Sequence, residues 1–225
     1  DNIVNASEAD AGVTVSGSTT AEAGQIVTVT LNSPTVQTYQ ATVQADGSWS
    51  INIPAADLAA LTDGSHTLTA TVNDKAGNPA STTHNLAVDL TVPVLTINTV
   101  SGDDIINAAE HGQALVITGS STGLTAGTAL TVEINNVTYG ATVLADGTWS
   151  LGVPAVDVSN WPAGTVNITV SGTNSAGTTS TITHPVTVDL AAVAITINTL
   201  SGDDVINAVE KGETLVVSGS TSGVE

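Results

Sequence analysis

The chain contains no cysteine and no methionine. No disulfide can staple it, so stability has to come from packing or from metal. A protein exported unfolded into an oxidising medium gains from both absences, because no thiol mispairs and no thioether oxidises. Arginine is missing as well, which removes the planar fork that clamps phosphate or carboxylate. Only Lys75 and Lys211 oppose 21 acidic residues, for a formal net charge of −19. Such a surface repels nucleic-acid phosphates and anionic lipid and attracts divalent cations. No run of ~18 apolar residues is present, so no transmembrane helix and no membrane insertion is expected. The start shows no basic segment followed by an apolar one, and the chain reads as an internal or mature segment.

What is present is a core-forming composition. Apolar residues make up 41 % of the chain, mostly Val, Ile, Leu and Ala, which argues against disorder. The chain also repeats itself. Ala45-Asp46-Gly47-Ser48-Trp49-Ser50 returns as Ala145-Asp146-Gly147-Thr148-Trp149-Ser150, a spacing of 100 residues between the tryptophans. Tyr39, Pro54, Gly64, Thr83-His84 and Val88-Asp89-Leu90 return at Tyr139, Pro154, Gly164, Thr183-His184 and Val188-Asp189-Leu190. A second block, Ser101-Gly102-Asp103-Asp104 through Asn107 to Glu110, returns at Ser201 to Glu210, and its end stands at Asp1 to Glu8.

The repeat is cut out of register with its own boundaries. Residues 1–90 read as one copy lacking its first strand, 91–190 as a complete copy, and 191–225 as the N-terminal part of a third. Within the complete copy the pattern is β. Leu95 to Asn98 and Ala129 to Ile134 alternate, and Ala114 to Gly119 is a short apolar run. Thr138 to Val143 follows the turn Asn135-Asn136, and Asp146-Gly147 signals a hairpin before Thr148 to Val153. Val166 to Val170 and Thr181 to Val188 complete about seven strands in about 100 residues, the spacing of an immunoglobulin-like sandwich. One helical turn is expected at Pro154 to Val158 and again at Pro54 to Leu58. The expected fold is all-β, with tandem immunoglobulin-like β-sandwich domains arranged end to end.

Three motifs in fixed order carry a resemblance. The Ser101 to Glu110 block, the Ala145 to Trp149 turn and the Val72-Asn73-Asp74-Lys75-Ala76-Gly77-Asn78 loop resemble the bacterial Ig-like repeats of giant type I-secreted (RTX-type) adhesins, biofilm-associated proteins among them. The resemblance implies a calcium-stiffened fibre on the bacterial cell surface, extracellular, serving adhesion and biofilm formation. Its implied partners are neighbouring repeats of the same chain, other copies of the adhesin, and host or matrix glycans. The second copy departs in one loop, where Thr173-Asn174-Ser175-Ala176-Gly177 replaces the Asp74-Lys75 form.

Calcium takes six to eight oxygen ligands, and the acidic block supplies carboxylates and amides within eight residues. The block lies between the first two strands, at the end of the domain where the last strand also finishes. A neighbour's loop between its last two strands would face that end. On this geometry Asp1, Asn5, Glu8 and Asp89 serve the first junction, and Asp103, Asp104, Asn107, Glu110 and Asp189 the second. Asp203, Asp204 and Glu210 are their counterparts in the third copy, and Asp74 faces a preceding domain. The competing reading is that these residues are turn formers and solvated charges. Extracellular calcium modules often bind at ~10⁻⁴–10⁻³ M. At about millimolar calcium each site then adds roughly 0.4–1.4 kcal/mol, enough to stiffen a linker such as Leu90 to Pro93 and too little to decide folding.

Catalysis finds no support. Neither a nucleophile elbow nor a phosphate loop occurs, and His84 and His184 are repeat equivalents, which fits a structural role better than two tandem active sites. His111 becomes Lys211, as an exposed loop position would. The rival function is glycan binding, in this module or as an accessory domain of a secreted hydrolase, and it needs exposed aromatics. Trp49 and Trp149 follow the same hairpin turn and read as packing residues, whereas Trp161 stands where the first copy has Leu61 and is the one candidate for a sugar contact.

Overall fold

The computed structural model describes residues 2–32 and 36–223. The first sandwich comprises β1 (Ile3–Asn5), α1 (Ala6–Ala11), β2 (Val13–Ser18), β3 (Ile26–Asn32), β4 (Gln37–Thr42), β5 (Ser48–Ile53), α2 (Ala55–Leu58), β6 (Gly64–Asn73) and β7 (Pro79–Asp89). The second comprises β8 (Val94–Ile97), β9 (Ile105–Asn107), β10 (Leu115–Thr122), β11 (Ala129–Ile134), β12 (Val137–Thr142), β13 (Thr148–Val153), α3 (Ala155–Val158), β14 (Gly164–Thr173) and β15 (Thr179–Asp189). Two further strands, β16 (Ala194–Ile197) and β17 (Gly219–Ser222), pair only with each other.

In the second unit a three-stranded sheet, β13-β10-β8, faces a five-stranded sheet, β12-β11-β14-β15-β9. Alternation decides which residues meet between them. Leu95, Ile117, Trp149 and Leu151 come from one sheet and Leu130, Val132, Ile168, Val170 and Val186 from the other, in one buried cluster. The first unit has its own cluster around Val27, Val29, Leu31, Ile51, Ile53 and Leu68. Its five-stranded sheet runs β1-β7-β6-β3-β4, but among the described residues its second sheet holds β2 and β5, with no counterpart of β8.

The hairpin turns form as their residues require. In Asp146-Gly147 the glycine takes φ 81°, and Asp146 Oδ1 accepts from the Thr148 amide at 3.0 Å and its hydroxyl at 2.7 Å. Asp46-Gly47-Ser48 repeats the arrangement. The turn delivers Trp149 onto β10, where Gly119 lies beneath the indole. A Cβ on Gly119 would stand 2.5 Å from Trp149 Cζ2 and 1.9 Å from the Thr96 carbonyl oxygen, so both the indole and β8 need a bare backbone there.

Two elements differ from the sequence reading. Ile105 to Asn107, read as loop, forms β9 and pairs in parallel with the end of β15, setting Asn107 beside Asp189. Residues Ala6–Ala11, also read as loop, form α1, nucleated by a capping box between Asn5 and Glu8. Three-residue strands and one-turn helices carry too little period to be read locally. The expected helical turns appear as α2 and α3, each following a proline.

The ribbon β16-β17 repeats the β8-β10 pairing without a core. Ile195 is 78 % exposed, whereas Leu95, one repeat earlier, is 5 % exposed.

Each helical turn is tied to its sheet by a phenol. The Tyr139 hydroxyl donates to Asp157 Oδ2 at 2.9 Å, and Tyr39 to Asp57 Oδ2 at 2.6 Å. Burial first, then the hydrogen bond to the carboxylate, pushes the Tyr139 phenol up to about 12, and Tyr39 is raised by the same causes. The folded state therefore holds the proton more tightly than the unfolded chain, whose phenol titrates near 10.0. The contribution is complete below that pH and is lost as pH rises from about 10 to about 12. Urea midpoints are expected to fall across that window in the native chain. With Tyr39→Phe and Tyr139→Phe together, that part of the fall should vanish; an unchanged alkaline loss would exclude these phenols as its source.

Candidate functional site

The site built by the repeat is the contact between the two units that have a buried core. Because β1 runs parallel to the end of β7, Asn5 pairs in register with Asp89. Asn5 then caps α1. Its Oδ1 accepts from Glu8 N at 3.0 Å, while Glu8 Oε2 accepts from Asn5 N at 3.1 Å. With Oδ1 so engaged, Asn5 Nδ2 points out of the unit and donates to the Ala176 carbonyl at 3.0 Å. Ala176 lies in the loop 174–178 between β14 and β15 of the second unit.

That loop reaches back twice. Thr178 Oγ1 accepts from Ala6 N at 3.3 Å, and Asn174 Nδ2 donates to the Thr91 carbonyl in the linker at 2.9 Å. Asn174 Oδ1 is held by the amides of Ala176 at 3.1 Å and Thr178 at 2.9 Å, which fixes the orientation of its amide. Asn5, Asn174, Ala176 and Thr178 are all buried. The linker is anchored from the first unit, where Asp63 Oδ1 accepts from Leu90 N at 2.7 Å and Asp89 Oδ1 from Thr91 N at 3.0 Å. Neither Asn174 nor Thr178 was singled out as a site residue from the sequence; the Asn174-for-Asp74 exchange was the only signal of it.

The acidic candidates are distributed along this geometry. Asn5, Glu8 and Asp89 meet at the first junction; Asp1 lies outside the described residues. Asn107, Glu110 and Asp189 come together at the far end of the second unit, with Glu110 Oε2 accepting from Asn107 N at 3.1 Å and Asp189 Oδ1 from Ala191 N at 2.8 Å. The Ser101 hydroxyl and the Asn107 amide hold the Glu110 carboxyl below its usual range.

Asp103 and Asp104 precede Asn107 by four and three residues, in the turn before β9. Asp103 Oδ1 accepts from Ile105 N at 3.0 Å, as a turn former does. Asp104 is left-handed at φ 62°, and its Oδ1 accepts from Val100 N at 2.7 Å and meets His184 Nε2 at 2.8 Å. Burial pushes the Asp104 carboxyl up, but the His184 and Val100 hydrogen bonds outweigh it and hold the group low. The first unit pairs Asn2 Oδ1 with His84 Nε2 at 3.2 Å in the same place. Asp203, Asp204 and Glu210 repeat the local turn, accepting from Val205, Leu200 and Asn207 amides. Asp74 holds both carboxylate oxygens against Asn78, which lowers its pKa. Among the described residues, no three His, Cys, Asp or Glu side chains gather closely enough to hold a metal ion by themselves.

Residues 1–90 match the model of the bacterial Ig-like domain family. The shared tryptophan turn and its strands extend the same unit through residue 189. The chain belongs to the bacterial Ig-like domain family. It is 36 % identical to a solved Ca²⁺-stabilized adhesin that helps an Antarctic bacterium reach out and bind ice, with 98 % of this chain and 55 % of that one covered and a TM-score of 0.48. It is 31 % identical to part of a 1.5-MDa bacterial ice-binding adhesin, covering 99 % of this chain and 73 % of that one, with a TM-score of 0.47. A tetra-tandem repeat from the extending region of a large adhesion protein is 27 % identical, over 100 % of this chain and 54 % of that one, with a TM-score of 0.40. The chain thus spans about half the length of the first and third of these structures. No curated protein sequence matches it.

In this Ig-like chain the tryptophans are core residues. Trp161 is 3 % exposed and packs in the same cluster as Trp149, so the position read as a sugar contact is a wall of the core. Trp49, at 9 %, is also buried. His111 is half-buried rather than exposed, with Nε2 at 3.1 Å from the Trp161 carbonyl. No helix among the described residues is long and apolar enough to cross a membrane.

Proposed function

We propose that the chain is a run of structural spacer repeats from the stalk of a secreted bacterial cell-surface adhesin. Residues 1–90, 91–190 and 191–225 are then successive repeats, cut out of register. The role is mechanical rather than catalytic. Repeats give reach, short coupled junctions give stiffness, and a net charge of −19 keeps neighbouring fibres apart. The stalk holds an adhesive tip away from the cell in adhesion and biofilm formation, after export by a type I route. Its first partners are the neighbouring repeats.

The observation that carries this reading is the direct junction: Asn5, Ala6 and Thr91 of one unit hydrogen-bonded to the 174–178 loop of the next. Calcium is proposed where hard oxygen donors face a unit end. Asn107, Glu110 and Asp189 provide them at the far end of the second unit, and Asp74 at the near end of the first. Backbone carbonyls or a neighbour's loop would complete the coordination.

Small-angle X-ray scattering of the chain tests the stalk reading. An 11-residue strand such as β15 spans on the order of 35 Å, so two units end to end exceed about 70 Å. A maximum dimension above this is expected; a compact particle with units side by side would overturn the reading. Calorimetric titration tests the metal. Binding at ~10⁻⁴–10⁻³ M is expected, weakened at least about tenfold at that site by Glu110→Gln, since carboxylate count tunes calcium affinity. Absence of any binding would remove calcium from the proposal and leave the spacer.

A further inference from the structure

Each unit carries one loop between its two longest strands, residues 74–78 in the first and 174–178 in the second. Their backbones agree. Asp74 N donates to Asn78 O at 3.0 Å and Asn174 N to Thr178 O at 3.0 Å, and Gly77 and Gly177 both take φ 89°. Their side chains work in opposite directions. Asp74 turns both oxygens inward, Oδ1 accepting from Asn78 N and Oδ2 from Asn78 Nδ2, each at 2.7 Å. Asn174 turns only Oδ1 inward and sends Nδ2 outward to the Thr91 carbonyl. Thr178, which replaces Asn78, accepts from Ala6 N across the junction.

We propose that the junction between the two units is held without a cation, and that the pairs 174/178 and 74/78 decide which kind of coupling a junction has. A cation needs oxygen lone pairs aimed at it. At this junction the two amide side chains that cross the contact, Asn5 and Asn174, present protons, while Glu8 and Asp89 each spend an oxygen on a backbone amide of their own unit. The protons of Asn5 and Asn174 occupy the Ala176 and Thr91 carbonyls, and the fit to a metal is poor. A carboxylate at position 174 cannot donate to Thr91, so the junction loses that bond and the Thr91 carbonyl oxygen is left open to a cation. The Asp74 and Asn78 loop is of this second kind. A stalk built from both loop types then has some junctions that stay stiff when calcium is withdrawn and some that loosen. The inference rests on the tandem reading and not on calcium binding elsewhere in the chain.

The absence of cysteine makes the test direct, since Thr38→Cys and Thr138→Cys give one exposed spin-label site in each unit of the full chain. The native chain is expected to give one narrow inter-label distance in excess chelator, unchanged by millimolar calcium. Asn174→Asp with Thr178→Asn installs the loop form that the first unit already carries. That variant should give a broad distribution in chelator and a narrow one in calcium. Asn5→Ala should broaden it in both. A native junction that is broad in chelator, or one that narrows on adding calcium, overturns the proposal. So does a double variant that stays narrow in chelator. Loss of calcium binding at Glu110 and Asp189 would defeat the calcium reading and leave this result untouched.

Discussion

Gly119→Ala is expected to destabilise the second unit by about 3 kcal/mol or more, at the top of the range for overpacked cores. The added methyl meets two fixed neighbours, the Trp149 ring at 2.5 Å and the Thr96 carbonyl oxygen at 1.9 Å. The ring cannot retreat, because Trp149 is 1 % exposed and packed on every side. The carbonyl cannot retreat without unpairing β8, whose register places Thr96 and Ile97 beside Ser120 and Gly119. Gly17→Ala is the internal control. Its three nearest neighbours are all atoms of the Trp49 ring, Cζ2 at 2.6 Å the closest, and among the described residues no strand of the first unit stands in the place of β8. A smaller loss, roughly 1–2 kcal/mol, is expected there. Calorimetry of the chain should show the second transition moving far more under Gly119→Ala than the first moves under Gly17→Ala. Equal shifts would mean that β8 does not constrain the site.

Trp161→Ala is expected to cost about 3–5 kcal/mol, the usual range for removing a buried large aromatic side chain. Trp161 lines the same cluster as Leu115, Val153 and Val158. Truncation leaves a void that the neighbouring strands cannot collapse to fill. Trp161→Leu should cost less than half as much, because the first unit already closes the equivalent place with Leu61. Urea denaturation followed by the fluorescence of the remaining tryptophans measures both. A cost within about 0.5 kcal/mol for the alanine variant would put Trp161 back on the surface, where such changes are typically that small, and reopen the sugar-contact reading.

The junction shows how local pattern and tertiary placement divide the information. That the region around Asn5 and Glu8 faces the next unit follows from strand order: an odd number of strand lengths separates one end of a sandwich from the other. Which atoms meet there does not follow. Asn5 to Ala176 spans 171 positions and Asn174 to Thr91 spans 83. Nothing in the neighbourhood of any of these residues encodes its partner. The exchange of Asp74 for Asn174 was visible in the aligned copies, but its meaning required seeing Nδ2 turned outward where a carboxylate oxygen is turned inward. The acidic block was legible as a cluster in sequence, and the structure gives its members different partners. Asp104 is drawn to His184, while Asn107 and Glu110 lie at the unit end.

By itself the sequence determined the repeat of 100 residues, the main strands, the hairpin turns and the core tryptophan. Period-two alternation and Asp-Gly turns act within a few residues, so they are written where they are used. The tertiary structure alone decided the short parallel strand β9, the burial of Trp161 and the direction of the Asn174 amide. Each of these depends on what packs against it from a distant part of the chain. Burial and hydrogen-bond direction are properties of the assembled neighbours, and local pattern does not contain them.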